Sequence, residues 1–246
     1  MDREETLKEV AYYEDFKGYL RCQVCPHFCK LKDGQRGICR VRKNLDGKLF
    51  ALNYGECSSY GVDPIEKKPL RNFHPGSMIF SVGTVGCNLS CGFCQNWQIA
   101  KGEPQTITLT VEELVDLAGR GDSIGVAYTY SEPMMWYEFV YDAARAVSQA
   151  GLKNVLVTNG FINPEPLEAL LPYIDAMNID VKGFTEKYYK QACGGRLKPV
   201  LKTVERAVKA WHVEITTLLV TGLNDLPEEP RIYLNEVFYP NCIEKY

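Results

Sequence analysis

The sequence predicts an α/β fold, a parallel sheet with helices packed outside it, preceded by a small cysteine-rich module. Three observations carry that expectation. From residue 78 onward, short apolar runs alternate with helical patterns five times. The runs are almost continuously apolar, as parallel strands buried on both faces are. Polar clusters stand just after four of the runs, where the strands of such folds end and ligands bind.

The elements follow in order. The first run is "MIFSVG" (78–83), followed by a loop with three cysteines. A helix starts at Thr110, with Glu113 three residues on, which is a capping box, and Val111, Leu114, Val115 and Ala118 share one face. The second run, "IGVAYTY" (124–130), leads through "YSEP" (130–133) into a helix rich in alanine and aromatics, ending at Gly151 as its C′ residue. Met134, Met135 and Trp136 are expected to pack the start of that helix. "NVLVTNG" (154–160) is the third run, and Asn163 with Pro164 reads as an N-cap and first helical position. "DAMNIDV" (175–181) is the fourth. A helix from about Pro199 carries Val200, Leu201, Val204, Ala207, Val208 and Trp211 at helical spacing, and "VEITTLLV" (213–220) is the fifth run. Periodicity alone fits a doubly wound sheet and a partial β/α barrel equally. The expected domains are a cysteine-rich module over 1–77, a core over 78–226 and a tail over 227–246.

Composition sets the outer bounds. The chain has 246 residues, 46% of them hydrophobic and 24% charged, enough for an ordinary core. A net charge of −3 argues against an electrostatic nucleic-acid binder. The acidic start "MDREETLKEV" is unlike a secretory signal, and no apolar stretch is long enough to span a bilayer. The expectation is a cytoplasmic protein without nucleic-acid or membrane partners. Ten cysteines in a reducing compartment point to metal rather than disulfides. Cys57, Cys193 and Cys242 are scattered and read as small buried hydrophobes.

Cys87, Cys91 and Cys94 have the spacing C-x3-C-x2-C, with no histidine between Cys87 and the end of the second run. Three thiolates are one short of a closed zinc site, but they suit a [4Fe–4S] cluster with one open iron, which can bind a molecule bearing adjacent amino and carboxylate groups. Gly86 and Gly92 would let backbone approach the cluster. A structural zinc loop borrowing a distant ligand is the alternative.

With the aromatic Phe93 before the third cysteine, this loop resembles the signature of the radical S-adenosylmethionine (SAM) superfamily. The resemblance implies a partial (β/α) barrel of the radical SAM type. It also implies a [4Fe–4S] cluster whose open iron chelates the methionine moiety of SAM, and reductive cleavage to a 5′-deoxyadenosyl radical that abstracts hydrogen from a substrate. "FCQN", with Asn96, looks like the motif of pyruvate formate-lyase activating enzymes. "YSEP" stands where that family has Gly-Gly-Glu-Pro, so Glu132 would serve the SAM amino group, while Tyr130 and Ser131 replace the glycines. "TNG" would place Thr158 and Asn159 near the SAM ribose or carboxylate. Asp180 and Lys182 match the activases' Asp-x-Lys, and Val157 replaces their Asp before Thr-Asn-Gly. "CQVCPHFCKLKDGQRGICRVRKN", "GVDPIEKKPLRNFHPGS" and "SVGTVGCNLSCGFCQNWQIA" together resemble the AmmeMemoRadiSam-system radical SAM proteins over roughly residues 15–226. That likeness implies an electron donor such as flavodoxin or ferredoxin and protein partners of the AMMECR1 and MEMO families. A glycyl-radical activase and a non-catalytic metal-binding scaffold are the alternatives.

Cys22, Cys25, Cys29 and Cys39, spaced C-x2-C-x3-C-x9-C around Gly34 and Gly37, are candidates for a second, closed site holding zinc or iron–sulfur, with His27 able to replace one ligand. A metal-free thiol cluster is the alternative. His74 reads as structural. Lys67 and Lys68 read as a solvated charge pair or a functional one. Of Tyr128 and Tyr130, at least one is expected in the core. "LPEEPRIYLNEVFYPNCIEKY" departs from the family pattern, with Ile232, Leu234 and Phe238 crowded by prolines, so residues 227–246 are expected to be an atypical, truncated tail.

Overall fold

The computed structural model describes residues 7–225. The tail 227–246, with Ile232, Leu234, Phe238 and Cys242, lies outside the described residues. The first part of the chain forms short antiparallel strands: β1 (Lys8–Glu9), β2 (Tyr13–Phe16), β3 (Tyr19–Cys22), β4 (Lys30–Leu31), β5 (Arg42–Leu45), β6 (Lys48–Ala51) and β7 (Glu56–Cys57). They make two three-stranded sheets, β1-β6-β5 and β2-β3-β4, and β7 pairs with β10 (Ile107–Thr108).

Among the described residues the main sheet has six strands in the order β14-β13-β12-β11-β9-β8: β8 (Ser59–Pro64), β9 (Met78–Gly83), β11 (Ser123–Tyr128), β12 (Lys153–Thr158), β13 (Ala176–Asp180) and β14 (His212–Thr216). Five are parallel and adjacent in chain order, and β8 adds an antiparallel edge on β9. Chain order never reverses across the parallel strands. That removes the doubly wound alternative, whose sheet is built around such a reversal, and leaves the arc of an opened barrel. A strand from before residue 78 thus belongs to the core sheet.

Side chains alternate between the faces. Phe80, Val82, Val126, Tyr128, Leu156, Met177 and Ile179 pack with α2 (Val111–Ala118), α3 (Tyr137–Gln149), α4 (Pro164–Leu170) and α6 (Leu197–Ala207). On the other face Ile79, Ala127, Val155 and Ala176 are covered by Ile65 and Leu70, from the segment after β8. Asn178 donates to the Pro69 carbonyl and Glu214 accepts from the Arg71 and Asn72 amides, pinning that segment. The floor of the barrel is therefore built from "IEKKPLRNF".

Both bonds of the capping box form at α2: the Glu113 amide donates to Thr110 Oγ1 and the Thr110 amide to Glu113. Gly151 takes φ +74° one residue past the C-cap of α3. Met134, Met135 and Trp136 are buried in a 3-10 turn leading into α3. Asn163 is the N-cap of α4 and Pro164 its first residue, as expected, but the Asn163 side chain makes no capping hydrogen bond; its Nδ2 donates to the Gln23 carbonyl, tying the helix to the cysteine-rich segment. One expectation needs correction. Trp211 lies beyond α6, half exposed, its indole N–H on the Leu171 carbonyl. The N-terminal segment is also clamped to α3 by a buried ion pair, Arg42 to Glu138 at 2.7 Å.

Candidate active site

The carboxyl ends of β9, β11, β12, β13 and β14 open on one cavity of about 460 Å³. Cys87, Cys91, Phe93 and Cys94 line it from the loop after β9, running into α1 (Trp97–Lys101). Tyr130 and Glu132 come from the end of β11, Val157, Thr158 and Asn159 from β12, Asp180 and Lys182 from β13, and Thr216 and Leu218 from β14. All nine residues expected at the main site are thus in one cavity. Sequence reading missed Leu89, Lys101, Thr129, Thr216 and Leu218 there. Thr216 follows the same strand-end rule as the others but stands in no motif.

Glu132 organises the rim. Its carboxylate is buried and accepts from Thr158 Oγ1 at 2.7 Å, the Asn159 amide at 2.8 Å and the Met134 amide at 3.0 Å. Burial raises its pKa against the pull of these donors. Both oxygens accept from the protein, so Glu132 holds the ends of β11 and β12 together while lining the cavity. Asn159 then donates through Nδ2 to Asn88 Oδ1 at 2.9 Å and approaches Cys87 Sγ at 3.7 Å. The ends of β11 and β12 are thereby tied to the cysteine loop.

The thiols differ. Burial, then the Glu132 carboxylate, pushes the Cys87 thiol up to about 12. Cys91 is held down, first by a hydrogen bond with Cys193. Lys182 pairs with Asp180, and its pKa is raised; burial opposes this, but Asp180 and the Cys91 and Cys87 sulfurs outweigh it. The other Asp180 oxygen is buried without a hydrogen-bond partner. Lys101 donates to the Cys87 carbonyl.

Gly86 takes φ +93°, and a Cβ there would meet Val41 at 2.8 Å and the Cys39 carbonyl at 2.9 Å, so it lets the cysteine loop lie on the N-terminal segment. Gly92 needs no such freedom: its φ is not left-handed and a Cβ would point into open space. His27 reaches the same loop, its Nε2 2.7 Å from the Asn88 carbonyl and its ring edge-on to Phe161. Asn96 is exposed and precedes α1.

The N-terminal cysteines occupy a separate place. Cys22, Cys25 and Cys39 are buried and Cys29 is half-buried; a Cβ on Gly37 would lie 3.7 Å from both Cys29 and Cys39 sulfurs. Arg42 lies beside Cys22, Cys25 and Cys39. Among the described residues, no three His, Cys, Asp or Glu side chains are gathered as tightly as a bound metal ion would hold them. His74 is exposed against Phe73. Lys68 is no solvated lysine: it is fully buried, 2.7 Å from Asp63, with its ammonium over the Tyr130 ring. Tyr128 is core, bonded to Asn154, while Tyr130 faces the cavity.

The sequence profile of the Radical SAM superfamily matches residues 81–233. The chain belongs to the radical SAM superfamily. An uncharacterized protein of Methanocaldococcus jannaschii is 44% identical over 225 residues, covering 89% of this chain and 66% of its own. Pyruvate formate-lyase 1-activating enzyme of Escherichia coli is 27% identical over 151 residues, covering 57% of this chain and 60% of its own. The crystal structure of Streptococcus suis SuiB bound to precursor peptide SuiA matches with a TM-score of 0.50 at 17% identity, over 62% of this chain and 34% of that one, a likeness of fold. The chain spans about two thirds or less of the length of these relatives.

Radical SAM proteins use a [4Fe–4S] cluster and SAM. The residues present fit that pair. Three thiols line the cavity, and among the described residues no other cysteine or histidine does. The Asp180–Lys182 pair, with its orphaned Asp180 oxygen, lines the same cavity and offers polar partners suited to a zwitterionic ligand with hydroxyls. Among the described residues, no helix is long and apolar enough to cross a membrane.

Proposed function

We propose that this chain is a radical SAM enzyme whose working site is the cavity at the strand ends. The observation that carries the reading is the convergence of Cys87, Cys91 and Cys94 with Glu132, Thr158, Asn159, Asp180 and Lys182, residues of four separate strand ends, in one cavity. When bound, the cluster and SAM supply a 5′-deoxyadenosyl radical that takes hydrogen from the substrate.

The residues divide the remaining work. Cys87, Cys91 and Cys94 would hold the cluster. Glu132 fixes the Asn159 peptide and the Thr158 hydroxyl, so the β12 end presents a set polar edge to the SAM ribose or carboxylate. Asp180 offers its unpaired oxygen to a SAM donor group while Lys182 neutralises the other. Phe93, Leu89, Val157 and Leu218 restrict water at the reacting centre. An external one-electron donor of the flavodoxin or ferredoxin kind completes the reaction, and the AMMECR1 and MEMO families are the protein partners that the sequence resemblance supplies. The N-terminal cysteines belong to this proposal as a second metal site, structural or electron-supplying.

The test is anaerobic reconstitution with iron and sulfide, then incubation with SAM and dithionite. Formation of 5′-deoxyadenosine and methionine, lost in the Cys87/Cys91/Cys94→Ala variant, supports the assignment. Equal SAM cleavage by that variant would refute it.

A further inference from the structure

A second cavity, of about 650 Å³, lies between α4 and α6 and shares no residue with the cavity at the strand ends. Pro26 and Phe28 of the cysteine-rich segment, with Ile162, Pro164, Leu167 and Pro199, give it an apolar lining. The segment is fixed there. The Asn163 amide donates to the Val24 carbonyl at 3.0 Å, Asn163 Nδ2 to the Gln23 carbonyl at 2.6 Å and Arg196 to the Pro26 carbonyl at 2.6 Å. The groove is therefore preformed, which lowers the ordering cost of binding.

Its charges run against local stability. Lys198, Lys202 and Arg206 follow one another at i, i+4 along α6, Lys209 lies just past its end, and all four line the groove. Like charges at that spacing destabilise a helix. The first turn of α6 has no acidic residue, so Lys198 there opposes the helix dipole. Two of the three lining carboxylates are in use: Glu168 pairs with Arg206, and Glu186 accepts from the Leu197 and Lys198 amides. Among the described residues no carboxylate is ion-paired with Lys198, Lys202 or Lys209. At the groove edge Phe28 is 41% exposed and holds a left-handed backbone, φ +49°, unusual for a bulky residue. A partner bringing carboxylates around an apolar side chain would offset all of these. The chain's net charge of −3 disfavours nucleic acid as that partner, and a recess between helices offers nothing to a flat membrane surface.

Position indicates the kind of protein. Pro26 and Phe28 flank His27, whose Nε2 is 2.7 Å from the Asn88 carbonyl, one residue from Cys87. The groove thus abuts the cysteine loop without opening on the strand-end cavity. A substrate has to enter that cavity. An electron carrier needs only to approach the cysteine loop, and here it can do so while the cavity is filled.

We propose that this groove is the docking face for an acidic one-electron carrier protein: Lys198, Lys202 and Lys209 meet its carboxylates, and Phe28 with the apolar lining receives a side chain from its surface. The inference rests on the radical SAM reading above. The carrier loses one electron, the oxidised [4Fe–4S] centre gains it, and no bond forms or breaks. A small patch edged with charge suits the transient complexes of electron transfer, in which charge mainly sets the rate of encounter.

The experiment uses the reconstituted protein with reduced flavodoxin, an acidic one-electron carrier, as the probe. Calorimetry gives the affinity, and anaerobic stopped-flow gives the rate of cluster reduction, both against salt. Wild type is compared with Lys198→Glu/Lys202→Glu/Lys209→Glu and with Phe28→Asn, since asparagine tolerates the left-handed backbone. Dithionite, which needs no docking face, is the control reductant. The triple variant should associate about tenfold more slowly or worse at low salt. The difference should vanish toward ~1 M salt, where the Debye length is about 3 Å. Phe28→Asn should weaken binding at every salt concentration, and dithionite should reduce all three proteins equally fast. Variants equal to wild type toward flavodoxin would overturn the proposal. So would a parallel loss with dithionite, which would mark the groove as structural. A wild type that dithionite reduces but flavodoxin neither binds nor reduces sinks the groove alone. Self-association of wild type without flavodoxin binding, lost in the triple variant, would give the groove to a second copy of the chain instead. A wild type with no reducible cluster sinks the enzyme reading itself.

Discussion

Replacing Glu132 should show how far the rim of the cavity depends on one buried carboxylate. Its two oxygens take three donors: Thr158 Oγ1, the Met134 amide and the Asn159 amide. In Glu132→Ala the threonine hydroxyl can rotate to another acceptor, but two backbone N–H groups are left buried and unpaired. At about 1–3 kcal/mol for each such group, the loss is roughly 2–6 kcal/mol. In Glu132→Gln the amide oxygen can keep the Met134 and Thr158 partners, while its NH2 faces the Asn159 amide, donor against donor. One orphan remains, and the loss is about 1–3 kcal/mol. At roughly 2–4 °C per kcal/mol for a protein of this size, the glutamine variant should melt about 2–12 °C lower. The Asn159 peptide should move as well, so SAM affinity should fall in the glutamine variant even where it is fully folded. Differential scanning calorimetry and equilibrium dialysis with SAM on reconstituted protein measure the two effects. A glutamine variant less stable than the alanine one, or an alanine variant as stable as wild type, would refute the reasoning.

Glu138→Gln strips the counter-ion from buried Arg42, side chains that are 2% and 4% exposed, and should cost about 3–5 kcal/mol in a thermal or denaturant melt; a change under about 1 kcal/mol would mean the pair is not closed in solution. Burial alone would raise the Asp63 pKa, but hydrogen bonds from Lys67 and Lys68 win and hold it at about 2. That folded value lies below the ordinary one near ~3.9, so the stabilisation is complete above both and disappears as pH falls from ~4 toward ~2. Acid titration of stability should therefore show Asp63→Asn trailing wild type at neutral pH, with the gap narrowing through that window. Cys25→Ser should lower the melting temperature of the N-terminal segment while iron still assembles on Cys87, Cys91 and Cys94, as iron analysis and calorimetry on one sample would show; loss of both together would mean a single shared centre.

The strands and helices of the core were legible because its strands are apolar runs of five or six residues separated by helices, and periodicity reports such elements directly, although it did not choose the barrel over a doubly wound sheet. "MIFSVG" is β9 to the residue, and Thr110 with Glu113 closes its capping box as read. The seven strands before residue 58 are two to four residues long and largely polar, too short for a period to register. The cavity residues were legible for a different reason: each sits at the end of a strand, and parallel strands end on one rim. What stayed hidden depends on contacts between distant segments. Lys68 reads as solvated until β8 is seen as the edge of the main sheet, which puts Asp63 and Tyr130 around it. Cys193 reads as a filler until the turn that carries it is bonded to Ser90 and Gly92. Glu132 was found, yet its committed oxygens belong to Thr158 and two amides that only the folded rim brings near.

The most direct test of the central claim is the electron paramagnetic resonance spectrum of the reconstituted, reduced protein recorded before and after adding SAM. A [4Fe–4S] centre on Cys87, Cys91 and Cys94 with an open iron predicts a spectrum that shifts when SAM binds, accompanied by 5′-deoxyadenosine in the same sample. A cluster signal unchanged by SAM, with no 5′-deoxyadenosine formed, would contradict it.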